Sequence, residues 1–294
     1  MKLKADFFSD WINILRSGLV DDWGYDVSSV PDEKIPFIYF NAKKKQPEKK
    51  VRKLVLADTF FCPSEVSIGW ERLKKRIEAG EDLTRNLSKK ILKYEYTDSL
   101  LNDWGVHHFH LNEKTNGEFD HGTRLLVFAW LVDDIFYAIG VFDHNSWADK
   151  DIVETMHRNW PSVLEGYKLL GISLEDLSEQ ERLVLREKNE NSTVSVSDGT
   201  VYCSIGGGFN SSGFSALDYQ RIELQKSILK DSEKALDSQL ESFRNILEKN
   251  GYKDELEIEA SLEIVDKKYT AYLPQYGILV TFDSPINVLI DGIE

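Results

Sequence analysis

Apolar residues recur along this chain with two periods, and the change from one to the other marks its predicted elements. Phe7, Phe8, Trp11, Ile12, Ile14 and Leu15 form a helical stripe that ends near Gly18. Residues 35–40 (Ile-Pro-Phe-Ile-Tyr-Phe) and 51–57 are β-rich runs, and the lysine-rich stretch between them reads as the long loop of a hairpin, with its lysines at a solvated tip. Ser64 precedes a helix through Ile77 that stops at Gly80, and a second helical stretch with Leu87, Ile91, Leu92 and Tyr94 leads through Leu100 and Leu101 to Trp104-Gly105. After Gly105 the period becomes that of strands: Val106 to Leu111, Arg124 to Val132, and Ile135 to Asp143, the last two joined by a tight turn at Asp133-Asp134. Both later strands are apolar on each face, as the centre of a covered sheet requires.

Residues 151–157 and 162–170 are predicted helical. Beyond Gly171 the composition turns acidic, with a helix from about Glu175 to Glu187 and then the polar loop 188–192. A hairpin turned by Asp198-Gly199, a glycine-rich loop from Gly206 to Gly213, a long helix from Ala216 to about Lys249 and strands over 256–264, 269–273 and 278–282 complete the chain. The expectation is an α+β protein of two domains. Residues 1–171 form a basic-to-neutral domain in which helices flank an antiparallel sheet, and residues 172–294 form an acidic α+β domain built on the long helix.

With 41% hydrophobic and 12% aromatic residues, 294 residues suffice to bury a real core. No signal peptide is visible and no run of about 18 apolar residues occurs, so the expectation is a soluble, cytoplasmic protein with no membrane partner. Cys62 and Cys203 lack metal or redox spacing and fit reduced core thiols. The glycine-rich loop lacks the Gly-Lys-Ser/Thr ending of a nucleotide loop and reads as a connection; no cofactor is expected.

The net charge of −14 is unevenly spread: residues 1–100 carry +3 and residues 101–294 carry −17. Lys43, Lys44, Lys45, Lys49, Lys50, Arg52 and Lys53 cluster in the expected hairpin loop, and Lys74, Lys75 and Arg76 follow on a helix, with further cations at Arg72, Arg85, Lys89, Lys90 and Lys93. Such a surface can hold the phosphates of RNA, although most charge runs are solvated faces. The acidic domain, in turn, could bind a basic protein partner.

All six histidines fall between His107 and His157. Alternation along a strand places His108 and His110 on one face and His107 on the other, with Phe109 and Leu111. A two-residue turn at Asp133-Asp134 would pair Arg124 with Asp143 and bring His110, Arg124 and His144 to one end of the sheet. Three chemistries fit these residues. One imidazole could act as base and another as acid at a ribose 2′-hydroxyl, with Arg124 on the phosphate. His108 and His110 could instead ligate a metal, with His144 or an acid such as Asp143 or Asp120 as third ligand. Alternatively, the histidines are polar edge residues and Arg124 forms an ion pair with Asp143. His157 is expected near the end of a helix, and His121 lies in the loop before Arg124.

The basic first third favours the RNA reading. Residues 65–160, by their order of helices then antiparallel strands and by Arg124 and His144 near strand ends, resemble the RelE-type toxins and related metal-independent ribonucleases. That resemblance implies an RNA-cleaving fold of toxin type; the histidine cluster and the inferred register make His108, His110, Arg124 and His144 the expected working residues. The chain is larger and far more acidic than usual for that group. Two other function classes stay open: a non-enzymatic immunity or phage-defence component, and a His-ligated metal-dependent hydrolase.

Overall fold

A computed structural model describes residues 1–112, 123–172, 177–266 and 268–282, and the fold is α+β. In chain order the elements are β1 (Lys2–Lys4), α1 (Phe7–Asp21), α2 (Ile35–Lys45), β2 (Lys53–Leu56), α3 (Ser67–Ala79), α4 (Ser99–Trp104), β3 (Val106–His110), β4 (Leu125–Val132), β5 (Ile135–Asp143), α5 (Asp151–Asn159), β6 (Lys168–Leu169) and α6 (Glu179–Glu187). There follow β7 (Val194–Ser195), β8 (Val201–Tyr202), α7 (Ala216–Gln239), α8 (Arg244–Lys249), β9 (Glu257–Glu259), β10 (Ser261–Val265), β11 (Lys268–Leu273) and β12 (Ile278–Thr281).

The chain divides into two compact units, but not at residue 171: one is Phe40–Asp218, and the other joins Met1–Tyr39 to the chain from Tyr219 onward. The expected boundary fails for two reasons. Strand β1 pairs in parallel with β9, which ties the N-terminus to the C-terminal strands. On the other side of residue 171, β6 pairs with β8, and Val194, Val196, Tyr202 and Ile205 pack into the core of the central sheet. In the discontinuous unit, β10, β11 and β12 form an antiparallel sheet. The long helix expected to reach Lys249 is interrupted by a 3₁₀ turn at Leu240–Phe243, between α7 and α8.

A second correction concerns residues 35–57. No hairpin forms there. The stretch read as a strand is α2, whose buried residues Ile35, Ile38, Tyr39 and Ala42 follow the helical period, with Pro36 in the first turn where its missing N–H costs nothing. Strand β2 does form, but it runs parallel to β5 at the edge of a mixed sheet of order β2-β5-β4-β3. The lysines therefore occupy a helix end and a connection, not a hairpin tip. The helical stretch expected over residues 87–94 is instead a single 3₁₀ turn at Lys89–Leu92, and that expected over 162–170 is a 3₁₀ turn followed by β6.

The central sheet is covered on both faces, as its strands imply. One face (Val106, Leu126, Phe128, Trp130, Tyr137, Ile139) packs against Ile152, Val153 and Met156 of α5 and against Trp160; the other (Phe109, Val127, Ala129, Phe136, Ala138) packs against Trp70, Leu73 and Ile77 of α3. Val132 pairs with Ile135 as the turn requires, but a bulge shifts the register: Ala129 faces Ala138 whereas Phe128 faces Gly140. Asp143 thus pairs with Leu125, not Arg124. The extra residue reverses the alternation of β5, so that Phe142 joins the face of Phe128. Without the bulge, the even-numbered positions beyond Gly140 would fall on the opposite face.

Candidate functional site

The bulge decides where His144 lies. Continuing from Phe142, it falls on the side of the sheet that carries His108 and His110, and all three imidazoles line one open cleft of about 880 Å³. The His110 and His144 ring centres are 5.9 Å apart, and those of His108 and Trp147 are 4.7 Å apart. Residues between α3 and α4 close the other wall, with Ser88, Lys89, Lys90, Tyr96 and Asp98, while α6 supplies Leu183, Arg186 and Glu187. His108 and His110 are buried in the floor; His144 is exposed.

Local hydrogen bonds assign the rings different protons. The Thr123 N–H donates to Nδ1 of His110 at 3.1 Å, which leaves the proton of a neutral His110 ring on Nε2. The Thr123 carbonyl lies 3.0 Å from Nε2 of His144 and can only accept, so that nitrogen is the donor. The backbone of one residue, Thr123, therefore holds two of the three rings. Nδ1 of His108 is 3.4 Å from Oδ2 of Asp98, makes no hydrogen bond among the described residues, and is shielded from solvent. Burial pushes His110 down to about 4, assisted by His108 and His144. His108 is also held below its usual range by burial, and the Asp98 carboxylate opposes that shift. Burial thus favours the neutral form of both rings.

His107 takes no part in this cleft. It lies on the opposite face, its Nε2–H donates to the Lys44 carbonyl at 3.0 Å, and burial pushes it down to about 4. His157, in the last turn of α5, bonds the Tyr202 hydroxyl at 2.8 Å and faces Asp198. His121 and Asp120 lie outside the described residues.

Arg124 does not join the lining of the cleft. Its side chain is 72% exposed and reaches Glu65 at 3.4 Å, and Asp143, its expected ion-pair partner, instead accepts from the Asn145 amide at 2.8 Å. Nor do the ten basic residues singled out in the sequence line it. Lys45 and Arg52 are buried, with Lys45 donating to the carbonyls of Lys93 and Tyr96. Lys44 bonds Asn102 and the Gly206 carbonyl. Lys49 pairs with Asp82, Lys50 with Asp134, Lys74 with Glu71, and Arg76 bonds Asn86. Lys43 is half-buried, and Lys53 and Lys75 are exposed. The cations of the cleft are Lys89 and Lys90, both exposed, and Arg186.

Sequence reasoning missed Asp98, Trp147 and Arg186. A local signal existed for the first: Asp98 stands before Ser99-Leu100-Leu101 as an N-cap, and its Oδ1 accepts from the Leu101 amide at 3.1 Å. Arg186 is fixed by Asp103 (Nε to Oδ2, 2.8 Å), by the Trp147 carbonyl and by the Trp104 ring 4.2 Å away. No periodicity could have announced that joint.

The glycine-rich loop is not a loose connection. The amides of Gly206 and Gly208 donate to the carbonyls of Asp103 and Asn102 at the end of α4, and the Phe209 amide donates to Asn191. Cys62 and Cys203 are half-buried free thiols. Among the described residues, no group of three or more His, Cys, Asp or Glu is arranged to hold a metal ion, and no helix is long and apolar enough to cross a membrane. Comparison of the chain with protein-family models, with curated proteins and with solved structures finds no match to any of them.

Proposed function

We propose that the cleft binds single-stranded RNA and cleaves it without a metal, by proton transfer between imidazoles. The observation that carries this reading is the convergence of His108, His110 and His144 on one open cleft that also holds Lys89 and Lys90. A buried, neutral imidazole can accept the proton of a ribose 2′-hydroxyl. As that proton leaves, O2′ attacks phosphorus and forms the P–O2′ bond while the P–O5′ bond breaks. The imidazolium form of His144, the ring open to solvent, gives its proton to the departing O5′. The products are a 2′,3′-cyclic phosphate and a free 5′-hydroxyl, and exchange with water resets both rings.

Lys89 and Lys90 take the phosphate-binding role first assigned to Arg124, since backbone affinity needs exposed cations beside the reacting ester. Tyr96 and Trp147 offer rings in the same cleft on which an unstacked base can rest. Cleavage of a panel of single-stranded RNAs in the presence of a chelator tests the proposal. Each of His108→Gln and His144→Ala should reduce the rate about 10²–10⁴-fold, the usual contribution of a positioned acid or base. Unchanged cleavage in both variants would refute the assignment.

A further inference from the structure

We propose that Asp98 and His108 form a general-base dyad, with Asp98 as the positioning residue that directs the proton of His108 to Nδ1 and leaves Nε2 as the basic nitrogen. This rests on the reading of the cleft as an acid–base site and goes beyond it by separating the roles of its imidazoles.

The carboxylate is held in place before any substrate arrives. Oδ1 of Asp98 caps α4 through the Leu101 amide, while Oδ2 lies 3.5 Å from the Tyr96 hydroxyl and 3.4 Å from Nδ1 of His108. A carboxylate can only accept, so the arrangement favours a proton on the nitrogen that faces it. The backbone keeps the two partners together, because α4 and β3 are separated by Gly105 alone, which turns the chain in the left-handed region at φ 71°. Both side chains are about nine-tenths buried, at 11% and 12% exposure, where a nearby charge acts with little screening. Among the described residues Nδ1 has no hydrogen bond, although a buried N–H left unpaired costs about 1–3 kcal/mol. Catalytic hydrogen bonds are often long before substrate binds, and a closure of a few tenths of an ångström would form this one.

The other rings are excluded from the same role by their partners. Nδ1 of His110 is occupied by the Thr123 amide, so its Nε2 carries hydrogen and can only donate. His144 spends Nε2–H on the Thr123 carbonyl. The groups that act on a charge at His108 are Asp98 from the N-cap of α4, Lys90 from the preceding 3₁₀ turn, and His144 beyond β5; of these, Asp98 alone favours it. His110, on the same strand, is in turn disfavoured by a charge on His108. Asp98 therefore offsets part of the loss of proton affinity that burial causes, as a base requires.

Asp98→Asn tests this cleanly, because asparagine is as good an N-cap as aspartate and α4 should remain folded. The readout is the ¹⁵N NMR spectrum of the imidazole rings in the full-length protein, together with the pH profile of RNA cleavage. In the wild type, His108 should be the Nδ1–H tautomer and His110 the Nε2–H tautomer. Asp98→Asn should move the titration midpoint of His108 to lower pH, shift the acid limb of the rate profile the same way, and lower kcat about 10²–10⁴-fold with KM little changed. If His108 is Nε2–H in the wild type, or its titration ignores Asp98→Asn, the dyad is wrong whatever the activity. If the tautomer and the shift are found but no RNA is cut, the dyad stands and the ribonuclease reading fails.

Discussion

Replacing Asp103 by alanine should unfold the frame of the cleft more readily than any surface change could. Oδ2 of Asp103 accepts from Nε of Arg186 at 2.8 Å, and Oδ1 accepts from the Ser204 hydroxyl at 3.0 Å. The pair joins the C-terminal end of α4 to α6 and to the strand-end residues after β8. Its side chains are 3% and 1% exposed, so it is a buried pair and not a screened one. Removing the carboxylate leaves the guanidinium with the Trp147 carbonyl and the Trp104 face as partners. An uncompensated buried charge of this kind costs about 3–5 kcal/mol, against about 0–1 kcal/mol for an exposed pair. In a compact unit of this size each kcal/mol lowers the melting temperature by roughly 2–4 °C, so a fall of about 6–20 °C is expected. Urea unfolding at pH 7 followed by tryptophan fluorescence measures the free-energy loss directly, since Trp104 and Trp147 both touch Arg186. The double variant Asp103→Leu, Arg186→Met should recover most of the loss, leaving about 1 kcal/mol for the abandoned Ser204 bond. A loss below about 1 kcal/mol for Asp103→Ala would refute the reasoning, because it would mean that the guanidinium finds water or another acceptor.

Acid should weaken the fold through the buried imidazoles. His107 falls from its ordinary 6.5 to about 4, so its contribution is complete above pH 6.5 and is lost as the pH drops toward 4, by about 3 kcal/mol in all; urea midpoints measured from pH 8 to 4 should decline in that window, and less steeply in His107→Gln. Gly206→Ala should cost about 1–3 kcal/mol in the same assay, because a Cβ there would overlap the carbonyls of Leu101 and Asn102. Lys89→Ala with Lys90→Ala should weaken RNA binding at low salt and reduce the log–log salt slope by about 1.4, at about 0.7 per phosphate contact with a single strand; an unchanged slope would remove these lysines from the interface.

The sheet was legible in the sequence because its signals are local. A turn at Asp133-Asp134 and two apolar strands fix the pairing of Val132 with Ile135, and alternation alone separates His107 from His108 and His110. Three things were not legible, each for a physical reason. The bulge at Gly140 has no signature beyond a glycine, yet it sets the face on which His144 lies and removes Arg124 from opposite Asp143. The stretch 35–40 is rich in residues that suit strands, and the buried spacing Ile35, Ile38, Tyr39, Ala42 becomes decisive only once the core is known. The unit boundary depends on β1 meeting β9 across more than 250 residues, a pairing that no periodicity reveals. Charge clustering misled for a related reason: a lysine is counted in a sequence whether it faces solvent, as Lys75 does, or is buried against carbonyls, as Lys45 is.

The central claim is attack by a ribose 2′-hydroxyl in the histidine cleft. Its most direct test is mass analysis of the products from one single-stranded RNA and from the same strand with a 2′-deoxy substitution at the cut position, both incubated with the full-length protein and a chelator. A 2′,3′-cyclic phosphate and a 5′-hydroxyl are expected from the first and no cut at that position in the second. Cleavage of both strands at equal rates, or of neither, would contradict it.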